Sequence, residues 1–178
     1  MTAHRRRTDM VADPAFAAAP GDLDTSTRRS RRQLCLDVDR ELSYQRRMLH
    51  GRLDLIDFEQ RRRRGDVAGN ALESLGEILD EVGGGEGRRA TDTLSTDPIV
   101  LDRAGRRNVD LVLTDDTMSR LEEMTDDDLD GARARIEEIE RDISAQRRTV
   151  HHAEALLAAE LAERYRAGTI STDELITG

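Results

Sequence analysis

Lysine is absent from this chain, and all 28 of its basic residues are arginine. A GC-rich genome of the actinobacterial type explains that bias more simply than selection for arginine does. Aromatics are nearly absent too, confined to Phe16, Tyr44, Phe58 and Tyr165, and only 37% of the chain is apolar. A catalytic globule of 178 residues normally buries more large side chains, so a compact enzyme core is not expected. The single cysteine, Cys35, excludes an intramolecular disulfide and fits a reducing cytoplasm. The N-terminus lacks the apolar stretch of a secretory signal, and nothing later could span a membrane. The sequence therefore reads as soluble and cytoplasmic, with no membrane partner.

Charge is what the chain has in quantity. Charged residues make up 37% of it, mean hydropathy is −0.68 and net charge is −9. The signs are unevenly spread: residues 28–65 are arginine-rich, whereas 115–130 is almost purely acidic. A globally acidic chain repels nucleic acid, and no helix-turn-helix is recognisable, so direct DNA binding is the least favoured role.

Residues 1–27 are aperiodic and rich in Ala, Pro, Asp and Thr, and are expected to be a disordered tail. Residues 28–65 read as a long helix, with Leu34, Val38, Leu42, Leu49, Leu53 and Ile56 on one face and Gly65 as its stop. A connector follows over 66–124, with a short amphipathic piece at 70–82, a glycine-rich linker at 83–87 and a strand-like run at 109–113. Thr125 opens a capping-box pattern, with Asp128 in place of the usual Glu. The second long helix then fills 125–168, its seam running through Ile136, Ile139, Ile143, Val150, Leu157 and Leu161 to a stop at Gly168; 169–178 is a tail. Two narrow seams joined by a connector predict an all-α fold, an antiparallel two-helix coiled-coil hairpin that is monomeric. A dimer through the seams is the competing arrangement. Arg28–Arg32 and Arg61–Arg64 read as solvated helix-end charge.

The chain also says one thing twice. Residues 38–54, VDRELSYQRRMLHGRLD, and 139–155, IERDISAQRRTVHHAEA, share Arg40/Arg141, Ser43/Ser144, Gln45/Gln146, Arg46/Arg147, Arg47/Arg148 and His50/His151. Helical patterning would repeat apolar and charged positions. It would not repeat a Ser, a Gln, two Arg and a His in one order. The polar positions 39, 43, 46, 50 and 54, and 140, 144, 147, 151 and 155, each form one stripe beside the apolar seam. In an antiparallel pair those stripes are related by an approximate two-fold axis, which suits a two-fold ligand. Arginine can pair with guanine O6 and N7 and counter phosphate, while a carboxylate can accept from guanine N1–H and N2–H. Ser and His add donors. Acid, Ser, Arg and His on one stripe could hold a symmetric, anionic guanine dinucleotide.

The order D/E-x3-S-x2-R-x3-(Q/H)-x3-D resembles the signature of the RsiG family, the cyclic-di-GMP-responsive anti-sigma factors of sporulating actinomycetes. That resemblance implies one signature on each helix of an antiparallel coiled coil. The two together would hold a cyclic di-GMP dimer, probed as two ligands per chain, and help sequester a sporulation sigma factor of the WhiG type. Residue by residue it implies Asp39, Ser43, Arg46, His50 and Asp54 on the first helix and Glu140, Ser144, Arg147 and His151 on the second. The sequence departs from the family pattern in three ways: Asp39 shortens a Glu, His50 and His151 replace Gln, and Ala155 replaces the last acid, with Glu154 beside it off the stripe. Histidines in an anionic pocket would also strengthen binding on protonation. One motif His per helix, His50 and His151, without a Cys/His cluster gives no metal site, and Ser–His–Asp on an open face has no oxyanion hole, so no enzyme is expected. The alternative function is a nucleotide-independent coiled-coil adaptor that binds another helical protein.

Overall fold

The computed structural model describes residues 6–68 and 116–168, together with Val109 and Val112. Every regular element among them is helical: α1 (Arg7–Val11), α2 (Thr25–Arg64) and α3 (Asp126–Arg166), with 3-10 turns at Pro14–Phe16, Pro20–Asp22 and Thr117–Glu123. The pieces expected at 70–82 and 83–87 and the tail at 169–178 lie outside the described residues. No helix among the described residues is long and apolar enough to cross a membrane.

Local chemistry sets the ends of both long helices. Asp24 caps α2: its carboxylate accepts from Ser26 Oγ at 2.6 Å, from Thr27 Oγ1 at 2.5 Å and from Thr27 N at 2.8 Å, which holds its carboxyl well below the usual range. The expected capping box opens α3. Asp128 N donates to Thr125 Oγ1 at 3.2 Å, while Asp128 Oδ2 accepts from Thr125 N at 3.2 Å and from Thr125 Oγ1 at 2.6 Å. At the other end of α2, Gly65 takes φ +81° and donates to Arg62 O, and Asp66 N donates back to Arg61 O, the Schellman arrangement. Gly168, at φ +65°, closes α3.

Burial follows a seven-residue repeat on each helix. Cys35, Leu42, Leu49 and Ile56 are at most 1% exposed, with Val38, Gln45 and Glu59 buried in the interleaved positions. Leu129, Ile136, Ile143, Val150 and Leu157, at most 3% exposed, form the same repeat on α3. Such a spacing puts the buried residues on one narrow seam of each helix.

Chain contacts divide the molecule into two compact units, and each long helix contributes a part to both. In the first unit (1–46, 100–106 and 140–178), Arg32 pairs with Glu154 at 2.7 Å and Arg46 with Glu140 at 2.8 Å. Partners therefore run in opposite order along the two helix segments. The second unit (47–99 and 107–139) does likewise, with Asp57 on Arg133 at 3.1 Å and Arg63 on Asp126 at 2.7 Å. There the basic end of α2 lies on the acidic first turn of α3, a favourable meeting of charges and helix dipoles.

Three expectations need correction. Residues 6–27 are ordered rather than a disordered tail. Thr8, Val11 and Ala17 are buried, Arg28 donates through Nε to Pro20 O at 2.9 Å and also to Leu23 O, and Arg7 pairs with Glu41 at 3.5 Å. An arginine-to-carbonyl clasp leaves no periodic trace in a sequence. The same contacts remove Arg28 and Arg31 from the class of solvated charge: Arg28 is fully buried, and Arg31 donates to Phe16 O with its guanidinium 5.3 Å from the Phe16 ring centre. Arg62 and Arg63 likewise grip the buried Glu59, both at 2.7 Å. Lastly, Val109 and Val112 of the strand-like run are helical and buried, a spacing of three that puts both on one helix face.

Candidate ligand site

In the first unit, Arg46 Nε donates to Glu140 Oε1 at 2.8 Å and Arg147 Nε donates to Asp39 Oδ1 at 2.9 Å. The internal repeat maps 39 onto 140 and 46 onto 147. Each arginine of one copy is thus paired with the leading acid of the other. Each carboxylate oxygen also serves a second donor group: Ser144 Oγ donates to Glu140 Oε1 at 2.8 Å, and His151 Nε2 lies 2.7 Å from Asp39 Oδ1. Ser43 and Ser144, both half-buried, fall midway between the two reciprocal pairs.

The site is a surface rather than a cavity. Arg46, Glu140, Arg147 and Asp39 keep 31%, 19%, 23% and 28% of their side chains exposed, and His151 keeps 57%. Ion pairs so open contribute little to stability, up to about 1 kcal/mol each. Their partners can therefore be exchanged for an incoming ligand without unfolding the helices.

The structure brings together seven of the nine sequence-derived residues: Asp39, Ser43, Arg46, Glu140, Ser144, Arg147 and His151 share the first unit. His50 and Asp54 belong to the second unit, where both are exposed. Glu154 does not stand in for the acid missing at Ala155, because it is held by Arg32 at 2.7 Å. That pair escapes sequence reasoning, since neither residue belongs to the repeated motif. Among the described residues no cluster of three or more His, Cys, Asp or Glu could hold a metal. Cys35 is fully buried, and desolvation followed by the Glu154 charge pushes its thiol up to about 11, an inert position rather than a reactive one.

Residues 15–79 match the model of a protein family described as RsiG-like. The match takes in the later part of the ordered segment before α2, all of α2 and the first copy of the repeat. No curated protein matches the chain.

Proposed function

We propose, from the match of residues 15–79 to the RsiG-like family model, that the chain is an anti-sigma factor. It binds a cyclic di-GMP dimer on the paired stripes and sequesters a sporulation sigma factor of the WhiG type. In this reading α2 and α3 form a monomeric antiparallel coiled-coil hairpin in the cytoplasm, and the protein is a binding switch rather than an enzyme.

The observation that carries the reading is the reciprocal pairing of Arg46 with Glu140 and of Arg147 with Asp39. The repeated motif alone says that each helix owns an acid, a serine and an arginine. The pairing supports their acting as one two-fold surface whose halves draw on both helices. Guanine suits that surface because it offers the complementary edges: O6 and N7 accept from an arginine, while N1–H and N2–H donate to a carboxylate. A guanidinium carries five N–H donors, so one arginine can meet both a base edge and a phosphate once its internal pair opens. Phosphates of the dinucleotide compensate the arginine charge that is released when an internal pair opens. The ligand then presents its own anionic face outward, where a second protein can read ligand and helix together.

Calorimetric titration of cyclic di-GMP into the full chain tests this, with GMP and cyclic di-AMP as controls. Saturable binding is expected, selective for the guanine dinucleotide. It should be lost in the Arg46→Ala/Arg147→Ala double variant while circular dichroism shows unchanged helicity. Absence of binding both with and without the sigma factor would instead leave a nucleotide-independent adaptor.

A further inference from the structure

The candidate ligand stripes do not stop at the motif. On α2 the same alternation of three and four steps that links 46, 43 and 39 continues to 36, 32 and 29. On α3 it runs from 140, 144, 147 and 151 to 154, 158, 161 and 165. These continuations line an open groove of about 470 Å³ in the first unit, formed by Arg29, Arg32, Leu36, Ala158, Leu161 and Tyr165 among others. The Arg32–Glu154 pair marks the junction between the candidate ligand set and the groove.

The groove has a definite chemistry. Its floor is aliphatic, its rim carries two arginines and its lining contains no carboxylate, in a chain whose net charge is −9. Arg29 donates to the Tyr165 hydroxyl at 2.7 Å, so an arginine and a tyrosine are already held together at its mouth, and Tyr165 remains 41% exposed. Arginine and tyrosine are, with tryptophan, enriched among the anchors of protein interfaces. The stretch from 29 to 36 spans about two helical turns, room for one or two apolar side chains from a helix laid across it. The clasped segment before α2 is bound through Arg28, Arg31, Glu41 and Arg164, none of which lines this groove.

We propose that this groove is the docking site for an amphipathic, carboxylate-bearing helix of the protein partner. Nucleotide and partner then share one continuous face of the first unit. The proposal rests on the anti-sigma reading for the identity of that partner. It adds the place of contact and the chemistry of the segment that enters: apolar residues against Leu36 and Leu161, acids against the arginine rim.

The test uses the full chain with saturating cyclic di-GMP and a purified WhiG-type sigma factor as the probe. Two variants alter the groove without touching the nucleotide set or the buried seam: Arg29→Glu reverses the rim charge, and Ala162→Trp, at an exposed lining position, fills the space. Each is expected to weaken sigma-factor binding roughly tenfold or more. Nucleotide binding by the chain alone and its helicity should stay unchanged. Unchanged sigma-factor affinity in both variants overturns the groove and leaves the nucleotide site standing. An unmodified chain that binds nucleotide yet ignores the sigma factor overturns the groove together with the anti-sigma reading. A chain that self-associates, and is made monomeric by Ala162→Trp, assigns the groove to a second copy and overturns the proposal as well.

Discussion

Arg147 and Asp39 stand on different helices and in different copies of the repeat, yet their Nε and Oδ1 atoms meet at 2.9 Å. The reverse pair, Arg46 with Glu140, closes at 2.8 Å. Mutual pairing means that each candidate arginine is already satisfied by an acid of the other helix. A ligand must therefore replace carboxylate-to-guanidinium contacts with base and phosphate contacts, and only the difference between the two appears as affinity. That favours a ligand offering several contacts at once over a single phosphate or a mononucleotide.

The second copy of the motif is incomplete, because an exposed Ala155 stands where the first has Asp54. With Glu154 committed to Arg32, no neighbouring acid takes its place. Ala155→Asp adds the absent acceptor on a helix surface, with little effect on folding. Affinity for cyclic di-GMP should rise by about 1–2 kcal/mol, roughly tenfold, as expected for a hydrogen bond to a charged group. Parallel calorimetry of the two proteins would show it. Equal affinity would mean that position 155 does not touch the ligand.

Much of this architecture is legible in the sequence, and the reasons differ by element. The seven-residue spacing of Leu42, Leu49 and Ile56, and of Ile136, Ile143 and Val150, is itself the physical cause of the buried seams. Thr125, Gly65 and Gly168 act through local backbone chemistry, so their roles can be read without a fold. The segment before α2 behaves otherwise. Arg28, Arg31 and Arg164 bind the carbonyls of Pro20, Phe16 and Gly21, and any residue supplies a carbonyl. Nothing in the sequence marks the acceptor. The motif residues are legible as a set, but the choice of Glu140 for Arg46 depends on how two helices align, which neither helix encodes alone.

Acid should loosen the second unit. Glu59 is 1% exposed, and hydrogen bonds from Arg62 and then Arg63 outweigh its burial to hold its carboxyl below the ordinary 4.5. A depressed carboxylate adds stability that is fully present above 4.5 and is lost as pH falls from there through its lowered folded value. Asp24 and Asp128, both also lowered, push the same way at the two helix starts. Thermal unfolding followed from pH 7 downward should therefore show a falling midpoint below about pH 4.5. In Glu59→Gln the acid limb should be shallower, from a lower plateau at neutral pH. An unchanged slope would show that Glu59 is not the group responsible.

The clasp between α2 and the preceding segment can be opened at one residue. Arg28 is completely buried and donates through Nη2 to Pro20 O at 2.6 Å and through Nε to the same oxygen at 2.9 Å, while also binding Leu23 O. Arg28→Ala would leave a cavity and strip those carbonyls of a charged donor, with an expected loss of about 2–4 kcal/mol. The loss should fall unevenly. Helix α2 keeps its Asp24 cap and its seam, whereas residues 6–23 lose their main attachment, so early proteolysis is expected there with far-ultraviolet circular dichroism nearly intact. Cys35 gives a second readout in the same unit, since its thiol is 0% exposed and pushed up to about 11 in the intact protein. Labelling by a thiol reagent should be slow in the native chain and faster in the variant. Faster proteolysis without faster labelling would mean that the segment shields its own face of the unit but not the seam beneath it. No change in either would show that the buried guanidinium is not what fastens the segment.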